Sequence, residues 1–523
     1  MIWVDRIVKQ LEGKPQHIDD MFTPSGIPHL GSLRGPILHD VVYRAFLEKN
    51  KQTVFTYVFN DFDPIDGLPK EFQTKFSKYL GFPLRLAPSP KAGYKSFGEY
   101  YMEELKRVLS SLGVKAKYLS SWDMYREGKF NEVIKIALDN KDKILEVYRR
   151  VGGYQKKTED WYPLQVICPK CSRLGTTKVT AWNGKTVTFR CEKDLVSWAK
   201  GCGYAGELSP FDGNAKLPWK VDWPAHWKVM AVNFEGAGKD HASRGGSYDI
   251  AFELCATVFK YPKPFYFPYE FFLFGGKKMS SSKGVGISST EITRVLPAEV
   301  FRFLIVRTTP ERAIEFDPYG DTIPDLFDDY DRCLNAYFDR LEGKIPEKKA
   351  GEVLTDFARI AELSAVRPLP DKRLFLPRFR TIVNLIKTRS DLLKHFAEQK
   401  GQALNSAEKE ILEEREVYAQ KYLAEYAGSN NQETTKRPTK LSLTKKQKEF
   451  LQELAKELSK LKKTDREIIQ NAIFIILKKG NYQAREVFPA FYQVLTGQDS
   501  GPKAADLILS LGVKETVEKL IKL

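Results

Sequence analysis

Two short segments hold the residues best suited to chemistry. The first is Thr23-Pro24-Ser25-Gly26-Ile27-Pro28-His29-Leu30-Gly31-Ser32-Leu33-Arg34; the second is Lys278-Met279-Ser280-Ser281-Ser282-Lys283-Gly284. His29 stands where a turn should feed a helix, because Leu30, Leu33, Ile37, Leu38, Val41, Val42 and Phe46 follow at helical spacing. A helix start presents unpaired N–H groups and the positive end of the aligned peptide dipoles, so phosphate is stabilised there. Gly26 and Gly31 let backbone approach a ligand closely, and His29 adds a donor. The second segment sets Lys278 and Lys283 around a run of serines, as a cationic loop requires when it closes on a leaving pyrophosphate. Each segment alone is a turn or a solvated loop. Together, in this order, they point to activation of a carboxylic acid by ATP.

The elements that must position these segments are partly visible. Thr53–Phe59 is an almost continuous apolar, β-branched and aromatic run, which predicts a strand buried on both faces. It ends at Asn60-Asp61-Phe62-Asp63, and polar side chains at a strand's C-terminal end mark the ligand edge of an open parallel sheet. A helix-like stretch, Glu99–Leu112, and a strand-like one, Ala116–Leu119, continue the alternation. The expected fold class is therefore α/β, with a Rossmann-like doubly wound parallel sheet. An insertion then breaks the pattern. Lys178–Trp182 and Lys185–Arg190 flank Asn183-Gly184, predicting a β-hairpin on a type I′ turn. Cys168 and Cys171 precede it and Cys191 and Cys202 follow, so four thiolates can complete a tetrahedral structural Zn²⁺ site. The ten residues between Cys191 and Cys202 are more than a usual second knuckle holds. Cys255 and Cys333 stand alone and read as core. Beyond the second segment the chain reads as helical, with capping boxes at Thr464–Glu467 and Thr444–Gln447 and a polar loop over Gly428–Lys440.

Composition bounds the partners. With 523 residues, 42% of them hydrophobic, the chain can build several folded domains. It has no apolar run near the ~20 residues that span a bilayer. Its start, Met1-Ile2-Trp3-Val4-Asp5-Arg6, lacks the layout of a secretory signal, so a cytoplasmic location is expected. A net charge of +16 suits a polyanionic partner, since Lys and Arg release counterions from nucleic acid. The excess is uneven: Lys436–Lys463 carries ten Lys/Arg against three Glu, whereas Asp61, Asp63 and Asp66 make the other end partly acidic.

The two segments resemble the HIGH and KMSKS signatures of class I aminoacyl-tRNA synthetases. Trp219–Pro224, Phe234–His241, Gly245–Asp249, Tyr269-Glu270-Phe271, Arg485–Phe488, Leu495–Gly497 and Gly501–Lys503 are similar to segments of the class I lysyl-tRNA synthetases. That resemblance implies ATP-dependent ligation of L-lysine to tRNA(Lys) through an adenylate, with transfer to the 2′-OH of the terminal adenosine. It implies His29, Lys278 and Lys283 as catalytic residues. ATP would be held by Ser25, Gly26, Gly31, Ser32, Gly238, Asp240, Met279, Ser280 and Ser282, with Mg²⁺ carried by the nucleotide. Thr23, Trp219, His241 and Tyr269 match the lysine pocket, and Asp61 lies at a strand end where an acid could meet the substrate. A monomer is expected. The implied layout is a catalytic domain in two halves (1–150 and 218–290) around a zinc-hairpin insertion (151–217), then a stem-contact linker (291–345) and an all-α anticodon-binding domain (346–523).

Four positions depart from the pattern: Ser32 and Ser281 replace signature residues, Met21 stands where relatives often have Gly, and Gly35 follows Arg34 where they often have Glu. Gly35 removes one acid partner for the substrate's ammonium. Three alternatives share some features: a glutamyl- or arginyl-type class I enzyme, a non-catalytic tRNA-binding paralogue, and a nucleotidylyltransferase. The first should lack the lysyl-type segments, the second the ATP signatures or helical tail, and the third the basic helical domain.

Overall fold

Strand β1 (Gln16–Phe22) pairs in parallel with β2 (Thr53–Phe59), and β2 with β3 (Lys117–Ser120). The computed structural model describes residues 1–11, 16–49, 52–154, 159–274, 277–278, 288–347, 349–388, 391–427, 443–461, 465–496 and 504–521. Parallel bridges from Ile18 to Phe234 and from Phe234 to Phe265 extend the sheet beyond β1. The same two segments stay paired further on, as Ala237–Gly238 against Pro268–Tyr269. Across the sheet the chain order is therefore third, second, first, fourth, fifth, the expected doubly wound arrangement. The order reverses beside β1, and the crevice at such a switch point is where these sheets bind ligands.

The predicted strand at Thr53–Phe59 is observed with those bounds, and the predicted helix near Glu99 runs from Phe97 to Ser111. β1 is different. Its sequence, Gln-His-Ile-Asp-Asp-Met-Phe, carries two adjacent acids, yet Asp19 and Asp20 are both buried.

The insertion is closed at its neck by Gln165–Val166 pairing with Ala215–Lys216. Inside it, Thr177–Trp182 and Val187–Cys191 form the predicted hairpin, joined by a third strand, Ala205–Leu208. The turn is not type I′. A type I′ turn needs positive φ at both central residues, and here Gly184 has φ +94° while Asn183 is not in that region. Instead the Asn183 side-chain oxygen accepts from the Lys185 and Thr186 N–H groups at 2.9 and 2.8 Å, making a longer Asx-type loop.

Beyond residue 288 the described chain is mainly helical. Helices Ala298–Val306, Thr322–Leu341 and Lys349–Ser364 share the core under the first signature. The chain divides into two compact units, Met1–Asn431 and Gln432–Leu523. In the second, helices Lys445–Leu458, Arg466–Lys479, Ala484–Thr496, Ala504–Leu511 and Val513–Ile521 bury Phe450, Leu454, Ile473, Phe491 and Ile508. The Thr444–Gln447 capping box is present. Thr464 lies outside the described residues; the observed cap of the next helix is Asp465, whose side chain accepts from Ile468 N–H. No helix among the described residues is long and apolar enough to cross a membrane.

Candidate active site

The first signature folds as expected. His29 is the extended residue before a 3₁₀ turn, Leu30–Leu33, that runs directly into the helix Arg34–Glu48. Ser32 N–H donates to His29 O at 2.9 Å, and Ser25 N–H to Thr23 O at 2.9 Å, so Ser25 and Gly26 lie on a tight turn at the end of β1. Gly31 has a specific reason: a Cβ there would sit 2.7 and 2.9 Å from the His29 ring, so only glycine lets the imidazole fold back over the turn.

The chain just beyond the second signature meets the first. Ser288 bridges His29, and Ser289 N–H donates to Pro28 O at 2.9 Å. At the other end of the second signature, Lys277–Lys278 pairs antiparallel with Phe274 and Leu273. Met279, Ser280, Ser282 and Lys283 lie outside the described residues. Gly238 ends the fourth strand of the sheet, and Asp240 follows in a one-turn 3₁₀ helix, Lys239–Ala242. Both stand at the C-terminal edge of the sheet.

The aromatic residues of the expected lysine pocket converge. Trp219 stacks on Trp223 with ring centroids 5.1 Å apart, and His241 lies 6.1 and 5.6 Å from those two rings. Met21, where a smaller residue was the family pattern, packs against this cluster. Tyr269 is the fifth-strand residue that pairs with Gly238. The segment after it is tied down by Arg34, whose guanidinium donates to the carbonyls of Glu270, Pro310 and Arg312 at 2.5, 3.2 and 2.8 Å.

The expected acid, Asp61, requires correction. Its carboxylate accepts from the Trp122 N–H at 2.9 Å, from Ser120 Oγ at 2.7 Å and from Ser121 Oγ at 3.3 Å, with Arg85 at 3.8 Å. Burial raises its pKa, against these donors, and its acceptor capacity is spent on the protein. Asp61 is a structural acid that ties β2 to the helix after β3.

A second acid group is equally self-contained. Thr23 Oγ donates to Asp63 at 2.9 Å, and Lys216 Nζ bridges Asp63 at 2.9 Å and Asp222 at 2.7 Å. Tyr125 Oη donates to the other Asp222 oxygen. Burial alone would raise Asp222, but the Lys216 ammonium holds it well below the usual carboxylate range. Lys216 belongs to the neck of the insertion, so this network connects Thr23 to the cysteine module.

A third group has no such cation. Asp20 Oδ1 accepts from Met21 N–H at 2.9 Å, while its buried Oδ2 has no hydrogen-bond partner. Asp19 accepts from Thr56 Oγ through one oxygen, and its other is likewise unpartnered. Glu235 accepts from the Trp223 and Trp227 indole N–H groups. Burial first, and Glu235 second, push Asp19 and Asp20 well above the carboxylate range; burial pushes Glu235 up to about 8. Glu235 falls within the lysyl-type segment Phe234–His241, but no motif set Asp19 or Asp20 apart, although adjacent acids within a buried strand are an unusual composition.

The four insertion cysteines come together. Their sulfurs all lie within 4.8 Å of one another, with Cys168–Cys202 at 3.6 Å and Cys171–Cys191 at 3.7 Å. A tetrahedron with Zn–S bonds of ~2.3 Å has edges of roughly 3.8 Å, so the donor set fits the ion. The wide Cys191–Cys202 spacing is absorbed by a loop that returns at once: Gly201 N–H donates to Glu192 O at 3.2 Å and Gly203 N–H to Cys191 O at 2.9 Å. Cys255 and Cys333 are buried core residues.

Comparison with known proteins agrees with this geometry. The family described as tRNA synthetases class I (K) matches residues 1–366, and an anticodon binding domain matches residues 361–523. A lysine–tRNA ligase of Methanococcus maripaludis is 32% identical over 541 residues, covering 98% of each chain. Those of Thermoplasma acidophilum and Picrophilus torridus are 30% and 28% identical, covering 100% and 99% of this chain and 99% and 98% of theirs. With the first signature at the switch point of a doubly wound sheet and matches running the length of the chain, the protein belongs to the class I lysyl-tRNA synthetases.

Proposed function

We propose that the protein ligates L-lysine to tRNA(Lys) in two steps. The lysine carboxylate attacks the α-phosphorus of ATP, forming lysyl-adenylate and releasing pyrophosphate; the 2′-OH of the tRNA terminal adenosine then attacks the acyl carbon and AMP leaves. The observation that supports this reading is the bridge between His29 and Ser288, which holds the chain just beyond the second signature against the first. Neither step needs a protein nucleophile, so the work is positioning and charge stabilisation.

His29 donates to the phosphates, on a turn shaped by Ser25, Gly26, Gly31 and Ser32. Gly238 and Asp240 take the ribose, the carboxylate accepting from its hydroxyls. Lys278 and Lys283, with Met279, Ser280 and Ser282, close on the departing pyrophosphate, and Mg²⁺ arrives with the nucleotide. Trp219, His241 and Tyr269 wall the lysine methylenes, where an apolar stem and a charged tip both need partners. Thr23 stands at the mouth, its hydroxyl oriented by Asp63. Cys168, Cys171, Cys191 and Cys202 would hold Zn²⁺, which supplies a rigid cross-link to the insertion. The helical unit with its basic Lys436–Lys463 stretch grips the tRNA, and the enzyme works as a cytoplasmic monomer.

Aminoacylation of total tRNA with labelled lysine tests the reading, with lysine incorporation into tRNA(Lys) as the expected result. His29→Ala and Lys278→Ala should slow adenylate formation by ~10²-fold or more, the scale of losing a transition-state donor. Single-turnover rates within a few-fold of wild type would remove those assignments.

A further inference from the structure

Resting on the lysine reading of the site, we propose that Asp20 is the carboxylate that receives the substrate's ε-ammonium, in a position opened for it by Gly35. The helix after the first signature carries Gly35 where an acid would be the family pattern, and the aromatic walls by themselves do not neutralise a buried ammonium. A Cβ built on Gly35 would lie 2.9 Å from Asp20 Oδ2 and 2.5 Å from Tyr269 Oη. Position 35 therefore faces those two groups directly, and a side chain there would occupy their space.

The surroundings of Asp20 lack a competing cation. Among the described residues no lysine or arginine pairs with it. The imidazole of His39 stands beside it, with Nδ1 at 3.6 Å. Gly236 N–H donates to His39 Nε2 at 2.8 Å, so the ring proton sits on Nδ1 and is directed to Gly35 O at 2.7 Å. That imidazole is neutral, and burial lowers its pKa to about 4. Arg34 is turned to backbone carbonyls. Tyr57, the register partner of Asp20 on β2, shares its face of the sheet. Asp19 points to the opposite face, against Thr56.

Depth selects which ammonium is held. Asp20 precedes Thr23 by three residues, roughly 10 Å deeper along the strand at ~3.3 Å per residue. The reacting carboxylate must stay at the edge with His29. The α-ammonium, attached to the carbon beside that carboxylate, stays there too, whereas the four-carbon stem carries the ε-ammonium inward.

ATP–pyrophosphate exchange with lysine and with norleucine, which lacks only the ε-ammonium, tests this. Wild type should favour lysine strongly. Asp20→Asn should lower kcat/KM for lysine ~10²-fold or more, the scale of losing one partner of a buried ion pair, and leave that for norleucine and the KM for ATP within about threefold. Gly35→Ala, which crowds both acceptors, should shift the lysine-to-norleucine ratio the same way and provides the readout if Asp20→Asn is insoluble. An unchanged ratio in the variant would overturn the role of Asp20 while leaving lysine activation intact. Absence of lysine activation by wild type would take both readings down together.

Discussion

Two groups of acids lie near the ligand edge of the sheet, and only one of them has its own cation. Asp63 and Asp222 close on Lys216, with Tyr125 and Thr23 completing their hydrogen bonds. Asp19, Asp20 and Glu235 have hydroxyl, indole and backbone donors, but two of their oxygens remain unpartnered. A buried carboxylate without a countercharge is costly, so evolution keeps one chiefly where another molecule supplies the charge. The contrast separates scaffold from receptor. Acid count alone does not separate them; the accounting of cations does.

The sharpest break of this contrast is Lys216→Met. It strands the buried Asp222 carboxylate and leaves the half-buried Asp63 without its cation, and the unfolding free energy should fall by about 3–5 kcal/mol, read from denaturant midpoints. Adding Asp222→Asn to that variant should recover part of the loss; no recovery would mean that Lys216 acts through packing rather than charge.

Metal removal should reach the same network more weakly, because Lys216 sits at the neck of the cysteine module. Elemental analysis should find zinc bound to the purified protein, and chelation or Cys168→Ser should lower the unfolding temperature. A metal-free protein of unchanged unfolding temperature would remove zinc from the account.

The receptor group should respond in the opposite sense. Asp20→Asn keeps the acceptor for Met21 N–H and discards a desolvated charge, so stability should hold or rise by ~1 kcal/mol. A loss comparable to that of Lys216→Met would place Asp20 in the scaffold.

A separate effect lies in pH dependence. Burial pushes Glu235 up to about 8 from an ordinary 4.5. Between those values the folded state holds a proton that the unfolded state has released, so this group's contribution to stability falls as pH rises through the window. Glu235→Gln should flatten that fall in denaturation midpoints measured at pH 5 and pH 8, and an unaltered slope would show that other groups carry it.

The scaffold of the site was more legible than its charge balance. Thr53–Phe59 announced itself because a central parallel strand is apolar on both faces. His29, Gly31 and the Cys168–Cys202 set announced themselves because close approach and tetrahedral ligation restrict residue type. β1 did not, since its two adjacent buried acids mask the strand pattern. Asp61 misled for the same reason in reverse: an acid at a strand end looks like a ligand contact until Ser120, Ser121 and Trp122 are seen to claim it. Hydrogen-bond partners far apart in sequence, such as Lys216 with Asp63, leave no local periodicity to read.

The most direct measurement is ATP–pyrophosphate exchange across the full set of amino acids, with and without total tRNA. The account predicts exchange with lysine alone. Exchange with glutamate or arginine instead would keep the fold and the two signatures but contradict the pocket, and no exchange under either condition would contradict the enzyme.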